Sequence, residues 1–175
     1  MRVRFPSSLA AALAFAFCSA TALSEEIPLR NWPTPHVYHR QGAINGDGSG
    51  FVAVEPCRVV DTRPSQGFPA AWGPPILAGN AVRDFDINSA PHCPGIPSGA
   101  TAYSLNFTVT ETVASGDIRA WPQDNPPVQI TSVLNWQGAS VTIANATIIP
   151  AGTGGGITVQ VAGANTHLLI DINGY

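Results

Sequence analysis

From Phe51 onward the chain alternates short apolar and polar positions, interrupted every few residues by Gly or Pro. Tyr103, Leu105, Phe107 and Val109 share one parity, while Ser104, Asn106, Thr108 and Thr110 share the other. Successive side chains of a strand point to opposite faces, so this pattern predicts a half-buried strand. The same period recurs at Ile118 and Ala120, at Ile157, Val159 and Val161, and at Leu168, Ile170 and Ile172. Weaker alternations at 51–54, 58–61, 82–87, 132–136 and 141–149 bring the expectation to eight or nine strands. After residue 24 no segment sustains a capped 3.6-residue apolar period, so helices are not expected. Strands with one apolar face each need a second sheet to cover them. The expected fold class is all-β: a two-sheet antiparallel β-sandwich, jelly-roll-like, over residues 50–175.

An internal repeat refines that expectation. A shift of 39 places Leu105-Asn106-Phe107-Thr108-Val109 over Ala144-Asn145-Ala146-Thr147-Ile148. It also sets Gly116 on Gly155, Ile118 on Ile157 and Ala120 on Val159. The unit predicted is a strand, a Gly-rich turn and a return strand, used twice as two matched hairpins. Asn106 and Asn145 are formal glycosylation sequons, but their repetition favours equivalent structural hydrogen-bonding roles.

The first half-hundred residues follow another pattern. Arg2 and Arg4 precede an Ala/Leu/Phe run from Leu9 to Phe17, and small residues follow up to Ser24. That is the order of a secretory signal peptide, residues 1–24, with an apolar run too short to span a membrane. Bulky Phe17 ahead of Cys18 speaks against lipidation. Residues 25–49 carry Pro28, Pro33 and Pro35, then Gly42, Gly46 and Gly48, and are expected to be an extended arm or linker. The localisation expected is secreted, in the periplasm or outside the cell, with no membrane span once the leader is removed.

Composition narrows the function classes. Only 11% of the 175 residues are charged, and all eight basic residues are Arg. Nucleic acid is excluded as a partner because phosphate binding needs clustered cations. The absence of Lys removes Schiff-base and P-loop chemistry and Lys–Asn isopeptide cross-links. Loss of the leader leaves six Arg against eleven acids, a formal charge of −5. It also leaves two cysteines, Cys57 and Cys93, which in an oxidising compartment are expected to pair.

Several short segments together carry a resemblance. They are Pro56-Cys57-Arg58-Val59-Val60-Asp61-Thr62-Arg63, Cys93-Pro94-Gly95-Ile96-Pro97, Ser104-Leu105-Asn106-Phe107-Thr108-Val109-Thr110 and Ala120-Trp121-Pro122. Ser132-Val133-Leu134-Asn135-Trp136, Ala144-Asn145-Ala146 and Asp171-Ile172-Asn173-Gly174-Tyr175 complete the series. In this order the chain, over about 51–175, resembles a module that recurs in exported and cell-surface proteins of bacteria. The resemblance implies a secreted β-sandwich, often appended to other extracellular domains, with no catalytic centre to carry over. Within its opening polar trio, Arg63 is expected to form a structural ion pair with Asp171, fixing register more than adding stability.

Catalytic and metal chemistry find little footing. Asp47-Gly48-Ser49-Gly50 has the acid and serine separated by Gly48, unlike the serine-protease nucleophile loop. Nothing selects a catalytic pair among Glu55, Glu111, Asp117 and Asp124. His36 and His39 lie in the Pro/Gly arm near Asp47, and His92 and His167 stand apart, so no metal or other cofactor is expected. Trp72, in a Gly/Pro loop, and Trp121, before a Pro at an expected surface turn, are the better lead. Exposed indoles stack on sugar rings. Two readings result. The first is a non-catalytic structural or assembly module of the cell surface or matrix, forming homo-oligomers when its arm adds to a neighbour's sheet edge. The second is a polysaccharide- or surface-binding module using Trp72 and Trp121.

Overall fold

The computed structural model describes residues 50–175. The expected leader 1–24 and arm 25–49, with Cys18, His36, His39, Asp47 and Ser49, lie outside the described residues. Within the remainder, the period-two alternation forms eight strands. They are β1 (Ala53–Asp61), β2 (Val82–Asp86), β3 (Ala102–Thr110), β4 (Gly116–Pro122), β5 (Ser132–Trp136), β6 (Ile143–Pro150), β7 (Gly156–Gly163) and β8 (His167–Gly174). The only described helical element is a short 3-10 turn at Pro64–Gln66. The two weak alternations at 51–54 and 58–61 merge into β1, which carries Pro56 on an edge strand, where a missing ladder N–H is tolerated.

The strands form two four-stranded sheets, ordered β1-β8-β3-β6 and β2-β7-β4-β5, and every pairing is antiparallel. The pairs β1·β8, β2·β7, β3·β6 and β4·β5 are those of one long hairpin folded over itself, which is the strand order of a jelly roll. The core lies between the sheets. Tyr103, Leu105, Phe107 and Val109 supply one wall, fully buried, and Ile118, Ile157, Val159 and Val161 supply the other, also fully buried. Polar atoms drawn into this core are satisfied. The Tyr103 hydroxyl donates to the Gly155 carbonyl (2.8 Å), and the Trp136 indole N–H donates to the Ala114 carbonyl (2.6 Å). The Cys57–Cys93 disulfide ties β1 to the loop between β2 and β3, with a Cα–Cα distance of 5.7 Å.

The repeat maps onto the fold differently from expectation. β3 lies in one sheet and β4 in the other, so the unit is a crossing between sheets and not a hairpin. Its two copies lie side by side, β3 against β6 and β4 against β7. The shift of 39 keeps facing in the second pair, where Ile118 and Ile157 are both fully buried. In the first pair it inverts facing: Leu105, Phe107 and Val109 are buried, whereas Ala144, Ala146 and Ile148 are exposed. A register change of one residue turns every side chain to the other face. Asn106 and Asn145 are therefore not equivalent.

Candidate functional site

Two features of the first sheet stand out, an ion cluster at its β1–β8 side and an open edge at β6 on the opposite side. The cluster begins with a defect in β1. Its pairing with β8 runs Arg58↔Asp171 and then Val60↔Ile170, so one extra residue is accommodated between them. Residues three apart on a regular strand face opposite ways. The bulge reverses parity, buries both Val59 and Val60, and brings Arg58 and Asp61 to one side. Arg58 bridges two carboxylates, with Nε 2.8 Å from Asp171 Oδ1 and Nη1 3.1 Å from Asp61 Oδ2. Arg63 grips Asp61 with Nε (3.0 Å) and Nη2 (2.7 Å), and its backbone N–H donates to the same carboxylate (3.1 Å).

The expected Arg63–Asp171 pair is thus corrected. Arg63 belongs to Asp61, two positions away on the same side of the chain, and Asp171 belongs to Arg58, its cross-strand neighbour. Asp61 is the hub and is fully buried. Burial pushes its carboxyl pKa up, but the side-chain and backbone hydrogen bonds of Arg63, the Arg63 charge and the Arg58 bond outweigh burial and hold it below the ordinary value. The adjacent Thr62, also fully buried, accepts from the Leu168 N–H (2.9 Å) and shares a hydrogen bond with His167 Nδ1 (3.1 Å). Beside the cluster, Pro56, Arg58, Asn106, Asp171 and Asn173 line a shallow recess of about 450 Å³. Its two ionised groups are already engaged with each other, which suits a lock between strands.

Sequence reasoning placed Asp61 and Asp171 in this region but missed Arg58 as the bridge. The signal was present: Val59 and Val60 are consecutive apolar residues that break the alternation, as a bulge requires.

The tryptophans do not form exposed platforms. Trp121, expected at a surface turn, is 8% exposed and lines a recess of about 350 Å³ with Pro127, Thr131, Thr147 and Ile149. Trp72 is half-buried against the core, and its indole N–H donates to the Asp86 carbonyl (2.7 Å). Its neighbour Arg83 is bound by the carbonyls of Ala70, Gly73 and Pro75 and lies over the Phe85 ring (4.9 Å), pinning the loop that carries Trp72. His92 packs on Phe68 (4.1 Å). Among the described residues no three His, Cys, Asp or Glu side chains converge.

The edges differ in how they are protected. Exposed strand edges template further pairing unless charges, bulges or short length blunt them. β1 has two register shifts and Glu55, β2 carries Arg83, Asp84 and Asp86, and β5 is five residues long with its own shift. The Val133 carbonyl on β5 also accepts from Asn145 Nδ2 (2.6 Å). β6 has none of these devices and carries a proline only at its last position, Pro150. It runs eight residues in unbroken register with β3, has no charged side chain, and exposes Ile143 (40%) and Ile148 (66%). Ile130 and Val128, in the segment that walls the Trp121 recess, are exposed as well. Compared with known proteins, the chain matches no family model and shows no significant match to a curated protein.

Proposed function

We propose that the protein is a secreted, non-catalytic structural or assembly module of a bacterial cell surface or extracellular matrix, and that it self-associates by strand addition. The observation that carries this reading is β6, a long, charge-free, unbulged edge in a chain whose other edges are blunted. Export is supported by the leader pattern at 1–24 and by the Cys57–Cys93 disulfide, a bond that persists in oxidising compartments. Among the described residues no helix is long and apolar enough to cross a membrane. The bacterial surface setting rests on the resemblance of residues 51–175. Glycan binding through Trp72 and Trp121 is the weaker reading, because one indole is buried and the other is committed to a backbone carbonyl.

Light scattering of the exported chain across a dilution series tests the proposal. Concentration-dependent oligomers support it; a monomer at every concentration, together with retention on a polysaccharide column, transfers the function to the glycan reading.

A further inference from the structure

The open edge of β6 is self-complementary in one register. In an antiparallel pair, directly opposed residues share a face. On β6 the residues opposite core positions of β3 are Ile143, Asn145, Thr147 and Ile149, while Ala144, Ala146 and Ile148 look outward. If one β6 lies against a twofold-related β6 with Ala146 on the axis, Ile143 meets the partner's Ile149 and Asn145 meets the partner's Thr147. On the outer face, Ala144 meets the partner's Ile148, and the two Ala146 side chains meet each other. Apolar then faces apolar, polar faces polar, and the smallest side chain sits where two identical groups must share space. This register brings no charged side chain to the seam, whereas β1 and β2 each carry charges along their length.

A further observation favours a second copy over the arm as occupant. Segment 25–49 has three prolines between residues 28 and 35, each lacking the N–H that a ladder needs, and its proline-free remainder shows no period-two apolar pattern.

We infer that β6 pairs antiparallel with β6 of a second copy about a twofold axis at Ala146, joining two sandwiches into one continuous eight-stranded sheet. This inference rests on the self-association proposed above and names the partner strand and its register.

Cysteine scanning on the full exported chain tests it, because the native Cys57 and Cys93 are already joined. Directly opposed residues lie within disulfide reach, whereas positions several residues apart do not. Ala146→Cys is expected to give a covalent dimer under mild oxidation. Ala144→Cys and Ile148→Cys are each expected to stay uncrosslinked alone and to crosslink when mixed. Ala146→Arg, at an exposed position, is expected to weaken dimerisation about 100-fold by opposing like charges, with circular dichroism unchanged.

Oligomers that persist in Ala146→Arg, or that disappear only on deletion of residues 25–49, overturn the β6 pairing and leave self-association standing. Crosslinking by Ala144→Cys alone overturns the register. A wild-type chain that is monomeric at every concentration overturns both.

Discussion

Arg63 holds Asp61 through two side-chain nitrogens and its own backbone N–H, the shortest contact being 2.7 Å, although only Thr62 separates them. Asp61 is wholly buried, whereas the Arg63 side chain is 27% exposed. The pair is asymmetric: losing the cation strands a buried anion, while losing the anion leaves a cation that can turn to water. The Arg58–Asp171 contact is different in kind, since both side chains are about one-third exposed.

That asymmetry predicts unequal mutational costs. Arg63→Gln removes two of the side-chain donors to Asp61 and is expected to cost about 3 kcal/mol. Asp171→Asn, acting on a pair about one-third exposed, is expected to cost no more than about 1 kcal/mol. Urea unfolding with an unchanged m-value measures both. Equal losses would show that Asp61 is not the hub.

The same carboxylate sets an acid limit. Its pKa is held below the ordinary value of 3.8 in the folded state, so its contribution is fully present above that value. Stability is lost as pH falls below 3.8 and through the lower folded pKa. In Arg63→Gln the folded pKa rises, so the contribution is smaller and its loss is complete at a higher pH. Thermal melts from neutral pH down to about pH 2 read this directly. An acid limb unmoved in the variant would contradict the assignment.

The disulfide joins residues 36 apart in sequence. Closing a loop of that size in the unfolded chain is worth about 4 kcal/mol on chain entropy. The double substitution Cys57→Ala with Cys93→Ala is expected to lose most of that, seen as a lower denaturant midpoint. A loss below about 1 kcal/mol would mean that the unfolded chain is not appreciably restrained by the bond.

Gly116 opens β4 beneath the Trp136 ring. A Cβ there would lie 2.5 Å from the ring and 2.7 Å from the Ala162 carbonyl oxygen. Gly116→Ala is expected to cost about 1–3 kcal/mol by overpacking. Trp136 fluorescence is also expected to shift, because the indole must tilt away from the Ala114 carbonyl it now bonds. A neutral substitution with unchanged fluorescence would refute the close approach.

Much of this architecture was legible along the chain. Alternation at 103–110, 157–161 and 168–173 located central strands of both sheets, and the number of one-faced strands required a second layer. Two cysteines in an otherwise cysteine-free module foretold their bond. These properties depend on residues near in sequence, or on a count so small that only one pairing remains. The partner of Arg63 was not legible. Alternation assumes a regular strand, and one accommodated residue at Val59–Val60 reversed the parity on which cross-strand pairing rests. Nor was the face of the 144–148 segment, because a sequence repeat carries no information about a one-residue change of register. Burial of Trp121 and exposure of β6 were likewise decided in three dimensions. Whether a side chain meets water depends on which strands and loops, distant in sequence, come to lie beside it.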